Sequence, residues 1–335
     1  MRPLLLKGHE RPLTTTHFNR QGDILVTCAK DHKPNVWFTE NGERLGTLAG
    51  HNGAVMDCSL TWDSKYLLTA SFDQTCKWFD IETGEMLFTW DMRSPCRSCD
   101  LAQGDRRALV VTDPFMGSKP TINVINVNKD GREHQDTEIV TKCIGDGKAR
   151  IMKARWGPLN EYIVSVGEDM HVRKWDPLTG ECIASNKIHD ATINDLKWSK
   201  DMGYFITAST DRTAKLVDAD SLEILKTYDT ERPCNAASIH PVFDHVIAGG
   251  GQDAAAVTTT SSKAGKFENV IFHKIFEDII GTVKGHFGPV NDISWSPDGR
   301  TFASGAEDGY VRIHHMDDSY IREAEKQAKV YAPTG

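Results

Sequence analysis

The sequence predicts an all-β fold, a closed ring of seven four-stranded blades forming a β-propeller, with a strand at the N-terminus completing the last blade. Three observations carry this reading. A large apolar residue just before a turn recurs at Phe18, Leu60, Leu101, Trp156, Trp198, Ile239 and Trp295, at intervals of 41 or 42 residues broken twice by 55 or 56. An acidic tight turn recurs on separate physical grounds at Asp31, Asp73, Asp113, Asp169, Asp211, Asp253 and Asp308, with its long intervals in the same two places. The shared period is that of propeller blades, each too small to bury its own faces. Finally, Arg2 to Leu6 reads as a strand with no repeat ahead of it, while the last unit has only three strands. Lending the first strand to the last blade closes the ring.

The last unit, Gly285 to Asp317, shows the local logic. It opens on Gly-His, turns at Ser-Pro-Asp-Gly and again at Glu-Asp-Gly, and the Pro, Asp and Gly residues supply the turn geometry. Blade one (from Gly8) and blade two (from Gly50) follow this template. Blade three lacks the Gly-His start; its Asp113 leads into the loop PFMGSKP and its insertion runs from Asn128 to Asp136. Blade four, from about Gly147, also lacks the histidine but keeps Trp156, Asp169 and Lys174-Trp175-Asp176. Blade five begins at His189, and blade six, from about Asn235 to Val283, carries the second insertion, beginning GGGQDAAAV. One domain, 1–317, is expected, followed by a polar tail, 318–335, read either as a short solvent-facing helix with Ser319 at its cap or as a disordered segment.

Composition narrows the classes of function. With 335 residues, 39% hydrophobic and 26% charged, the chain is a globular protein with a substantial core. A net charge of −8 makes its overall field repel nucleic acid, so direct nucleic-acid contact is not expected and the partners are expected to be proteins. No apolar run approaches the roughly eighteen residues needed to span a bilayer, and the apolar start is too short for a signal peptide, so no membrane association is expected. Eight scattered cysteines read as small apolar strand residues of a reduced, cytoplasmic protein.

Several residue sets invite chemical readings. A blade-opening histidine, a Ser/Thr four residues before the turn Asp, the Asp itself and a Trp six residues after it fall in register as His9, Thr27, Asp31 and Trp37. Partial sets follow: His51, Thr69 and Asp73; Ser165, Asp169 and Trp175; His286, Ser304 and Asp308. A single set would suggest a hydrolytic triad. Repetition argues instead for ties that pin a loop in every blade. Cys96-Arg97-Ser98-Cys99 lacks the second half of a zinc site and falls on a predicted strand. Gly249 to Gly251 lacks the Gly-Lys-Ser/Thr ending of a phosphate loop. The basic residues Lys142, Lys148, Arg150, Lys153 and Arg155 read either as a solvated face or as a site for phosphate or an acidic partner. Asp57, Asp195 and Asp292, each six residues after a blade histidine, read either as rim carboxylates attracting a basic partner or as loop caps.

The Gly-His starts, the relay register and Lys174-Trp175-Asp176 resemble those of WD-repeat (WD40) propellers over essentially the whole chain. Three stretches go further: GHERPLTTTHFNRQGD, LEILKTYDTERPCNAASIHP, and GGGQDAAAVTTTSSKAGKFE with FHKIFEDIIGTVKGHFGPVN. These are similar to the i-subunit family of eukaryotic translation initiation factor 3. The resemblance implies a non-catalytic scaffold, without cofactor or metal, in a cytoplasmic complex that loads messenger RNA and initiator tRNA on the small ribosomal subunit. It implies partners in the C-terminal segment of the b subunit and a segment of the g subunit, held at blades five and six. Asp218, Asp220, Leu222, Tyr228, Glu231 and Arg232 are the contact residues it implies. The competing reading is a receptor-kinase-associated or splicing-associated WD-repeat adaptor.

Overall fold

The computed structural model describes residues 3–128, 135–145, 147–251 and 267–331. Seven four-stranded antiparallel sheets stand around a central channel. Blade one comprises Leu13–Phe18, Ile24–Ala29, Asn35–Phe38 and Arg44–Thr47, and blade two Val55–Leu60, Tyr66–Ser71, Thr75–Asp80 and Met86–Asp91. Blades three and four run Cys96–Leu101, Arg107–Thr112, Thr121–Asn126, Ile139–Ile144 and then Ile151–Trp156, Ile163–Gly167, His171–Trp175, Cys182–Lys187. Blade five is Ile193–Trp198, Tyr204–Ser209, Thr213–Asp218 and Ile224–Asp229; blade six is Cys234–Ile239, His245–Gly250, Asn269–His273 and Ile279–Val283. Asp253 and most of the blade-six insertion lie outside the described residues.

Blade seven contains Val290–Trp295, Thr301–Ala306 and Tyr310–His315, and its fourth strand is Pro3–Lys7. The pairing is antiparallel, with Pro3 opposite His314 and Lys7 opposite Tyr310. Leu6 is buried there against Leu13, Trp37, Val311 and Ile313, so the first strand joins blade seven by hydrogen bonds and blade one by packing. The wider core lies between the sheets. Trp78 and Leu68 of blade two, for example, pack on Cys96, Cys99 and Val110 of blade three.

The innermost strand of every blade has a register shift at the same place, between Leu13 and Thr15 in blade one and between Val290 and Asp292 in blade seven. Such a bulge adds one residue and re-aims its neighbours. The extra residues, Thr14, Met56, Arg97, Met152, Asn194, Asn235 and Asn291, line one mouth of the channel. Four of them stitch consecutive blades: Asn194 donates to the Cys234 carbonyl, Asn235 to Val290, Asn291 to Leu13 and Thr14 to Val55.

The expected C-terminal helix forms at Asp318–Tyr331, but it does not simply face solvent. The Tyr320 hydroxyl meets His245 Nδ1 at 2.5 Å, its ring lies beside Phe243, and Ala324 is buried. The cap also differs from the expected Ser319. Asp317 Oδ1 accepts from the Tyr320 backbone N–H at 3.1 Å and from the Ser319 hydroxyl at 2.8 Å, because a carboxylate two residues earlier reaches a free amide of the first turn.

Candidate protein-interaction surfaces

The relay residues meet as their register implies. In blade one His9 Nδ1 donates to Asp31 at 2.8 Å, and its Nε2 lies 2.8 Å from the Thr27 hydroxyl, which also accepts from Trp37 Nε1. The carboxylate only accepts, so it fixes the imidazole tautomer. Asp31 also accepts from the backbone N–H of Glu10 and of Lys33, tying the blade-opening loop to the acidic turn. The glycine before the histidine has a steric reason: a Cβ at Gly8 would stand 2.6 Å from the Trp37 ring. His51 joins Asp73 and Thr69 in the same way, and His286 joins Asp308 at 3.2 Å and Ser304 at 2.8 Å.

One full histidine set escaped the sequence reading. His189 bonds Asp211 at 2.7 Å and Thr207 at 2.8 Å, and its signal was present in the same register, with Val217 where the Trp would stand. Blades three and four, which lack the histidine, use a guanidinium instead. Arg97 grips Asp113 with both Nε and Nη2, and Arg173 pairs with Asp169, leaving Trp175 to donate to Ser165 at 2.7 Å. Burial alone would raise the carboxyls of Asp73 and Asp308, but bonds from the histidine and from loop N–H groups outweigh it and hold both well below the usual range. Burial lowers His189 and His286, keeping the imidazoles neutral.

Asp57, Asp195 and Asp292 are not at the rim. They are 0%, 3% and 4% exposed, turned inward beside the bulges, where they form the core of a buried ion network. Asp57 accepts from Ser98 at 2.6 Å and Arg155 at 2.9 Å and lies 3.2 Å from Lys153, which links blades two, three and four. Asp292 accepts from the N–H and hydroxyl of Thr16 and pairs with Lys197, which also faces Asp195. The presumed basic cluster is therefore divided: Lys153 and Arg155 are spent inside the channel, and Arg150 reaches Glu168 at 3.4 Å. Burial would raise the Asp57 carboxyl, but the charges of Arg155 and Lys153 hold it far below its ordinary value. Asp100 goes the other way, pushed up to about 6 by burial and only partly relieved by Arg155.

The six contact residues implied by the resemblance do not form one patch. Leu222 and Tyr228 are 1% and 0% exposed; Tyr228 packs on Phe272 and donates its hydroxyl to the Lys274 carbonyl at 2.7 Å. Both residues are core, unavailable to a partner without unfolding. Asp218 is a turn cap whose Oδ1 accepts from the backbone of Asp220 and Ser221 and from the Ser221 hydroxyl. Asp220, with a side chain 98% exposed, is open beside Lys174. Glu231 and Arg232 sit on the opposite face, in the loop entering blade six. There, with Asp229 and Glu268, they line a cavity of about 150 Å³ floored by Gly249, Gly250, Val270 and Ile279.

Between those two faces runs an apolar strip that the sequence reading did not single out. Ile224 and Leu225 on the outer strand of blade five, and Phe276, Ile279 and Ile280 at the outer edge of blade six, are 43% to 61% exposed. The Lys226–Glu277 ion pair at 3.1 Å and the Tyr228–Lys274 bond join the two edges. Among the described residues no group of three or more His, Cys, Asp or Glu side chains could hold a metal. Cys96 and Cys99 are buried on a strand.

A closed propeller whose repeated His–Asp ties pin loops on one face, with an acidic and apolar outer edge, belongs to the class of repeat propellers that present surfaces to other macromolecules. Comparison with known sequences narrows the class. The EIF3I family model matches residues 1–324. The chain is 46% identical over 321 residues to eukaryotic translation initiation factor 3 subunit I of Xenopus tropicalis, covering 96% of this chain and 98% of that protein. It is 44% identical over 322 residues to the protein of the same name from Drosophila melanogaster, with the same coverage. The chain belongs to the EIF3I family.

Proposed function

We propose that the protein is a non-catalytic scaffold subunit of the eukaryotic translation initiation factor 3 complex, acting in the cytoplasm where that complex recruits messenger RNA and initiator tRNA to the small ribosomal subunit. Family membership and the relatives' shared name support the assignment to the complex. The outer edge of blades five and six carries the structural part: exposed Ile224, Leu225, Phe276, Ile279 and Ile280 flanked by Asp220, Asp229, Glu231 and Glu268. Exposed apolar anchors with carboxylates beside them suit a partner segment with apolar and basic side chains. We assign that role to the C-terminal segment of the b subunit and a segment of the g subunit.

Repetition of the same constellation speaks against a catalytic role. His, Ser/Thr and Asp stand together in blades one, two, five and seven with nearly the same distances, as loop ties would and a single active site would not. No helix among the described residues is long and apolar enough to cross a membrane.

Affinity purification from cytoplasm followed by mass spectrometry is expected to recover the b and g subunits. Recovery of receptor kinases or spliceosomal particles without initiation-factor subunits would overturn the assignment. Asp220→Lys combined with Glu231→Lys is expected to weaken b- or g-subunit capture about tenfold or more while leaving the melting curve unchanged. Asp218 is excluded from this test, because reversing it breaks a turn.

A further inference from the structure

The two mouths of the channel differ in charge. At the mouth on the bulge side, a cavity of about 680 Å³, Lys30, Arg97 and Lys153 are matched by Asp195, Asp292 and Glu307. At the opposite mouth, about 450 Å³, the charged lining is Lys153, Arg155, Lys197 and Lys200 against Asp100 alone. The buried ion network explains the asymmetry. Lys153, Arg155 and Lys197 pair with Asp57, Asp195 and Asp292 inside the channel, with Asp195 and Asp292 lining the bulge-side mouth and Arg155 and Lys197 lining the other. Lys200, exposed at that second mouth, has no ion pair among the described residues. In a chain of net charge −8, this is a local reversal of field.

Around the same mouth the turns between first and second strands present bare apolar groups. Trp62 is 56% exposed in blade two, Leu159 76% in blade four and Val242 59% in blade six. Arg20 of the blade-one turn stacks on the Trp62 ring at 3.2 Å, holding the indole in place. Leu159 is carried on a backbone with φ of +51°, a conformation costly for a branched side chain and reached here in a 3-10 turn opened by Pro158.

We propose that this mouth docks an acidic segment of a protein partner, an extended peptide in which Asp or Glu alternates with large apolar residues. The carboxylates meet Lys200, the cation of this mouth that has no ion pair among the described residues, and the apolar side chains rest on Trp62, Leu159 and Val242. Tryptophan is enriched among the residues that anchor protein interfaces. A nucleic-acid backbone fits less well. It needs several unpaired cations along a track, and here Lys153, Arg155 and Lys197 already have carboxylate partners. The site lies on the axis rather than on the outer edge of blades five and six, so it stands or falls independently of the proposed subunit contacts.

The test uses the purified full chain and four probes: a labelled peptide alternating Glu or Asp with Leu or Phe, its Gln and Asn counterpart, a single-stranded oligonucleotide, and inorganic phosphate. The acidic peptide is expected to bind. Its affinity is expected to fall about five- to tenfold in Lys200→Glu and by a similar factor in Trp62→Ala, and to weaken with added salt. Lys30→Glu, at the other mouth, is expected to leave it unchanged. Equal binding of the Gln and Asn peptide, tighter binding of the oligonucleotide, or full affinity in Lys200→Glu would each overturn the proposal. Lys200→Ala, with melting curves for every variant, separates loss of binding from loss of fold.

Discussion

At the scale of single residues, the carboxylates do most of the specifying, and environment divides them into two kinds. Asp31, Asp73, Asp211 and Asp308 are loop ties, each receiving a histidine and one or more backbone N–H groups. Asp31→Ala is expected to cost about 1.5–3 kcal/mol, the range for a hydrogen bond to a charged group, and to lower the melting temperature by several degrees without altering any activity. Asp57 is different, because its removal strands Lys153 and Arg155. Asp57→Asn is expected to cost about 3–5 kcal/mol, the range for breaking a buried ion pair, measured by urea unfolding. The register of the first kind was legible in the sequence, since it depends on spacing alone. The second kind has equally regular spacing, yet its placement was not legible: a bulge turns those side chains inward, and the cations of Asp57 and Asp292 come from other blades.

At the scale of elements, the first strand and the last helix tie the chain's ends to the ring by different means. Pro3–Lys7 contributes hydrogen bonds to the exposed edge of Tyr310–His315 and places Leu6 in the core. Leu6→Asp is expected to detach that strand and leave an unpaired edge; size-exclusion chromatography should then show oligomers. The helix Asp318–Tyr331 is held by its capping carboxylate and by Tyr320 against His245 and Phe243. Tyr320→Phe keeps the packing and loses the bond, so a loss of about 1 kcal/mol is expected in thermal unfolding. Polar composition made that helix look fully solvated, because one tyrosine and one alanine facing the ring are too small a signal against the charged residues around them.

At the scale of the whole molecule, the ties and the network set a common pH dependence. His189 and His286 stay neutral in the folded ring below the ordinary histidine value, so as pH falls through about 6.5 the unfolded chain takes up protons first and stability drops. The depressed carboxylates of Asp57, Asp73 and Asp308 add a second loss as pH falls below about 4. Asp100, raised to about 6, acts oppositely and costs stability as pH rises toward neutrality. Melting temperatures are therefore expected to decline from pH 7 to pH 4, and Asp100→Asn is expected to gain stability at pH 7 but not at pH 4. Contrary behaviour, with melting rising into acid, would remove the neutral-histidine assignment.

By itself the sequence determined the number of blades, their boundaries, the closure by the first strand and the family. The first three rest on periodicity and on local turn chemistry, which a linear chain displays directly, and the family on the resemblance of three particular stretches. Only the tertiary structure decided which of the candidate residues are exposed. Leu222 and Tyr228 went into the core, Asp218 into a turn, and Asp57, Asp195 and Asp292 into the channel, leaving Asp220 and Glu231 on opposite faces. The physical reason is that exposure in a ring is settled by neighbours about forty residues away or more, whose side chains either fill the space beside a residue or leave it open to water.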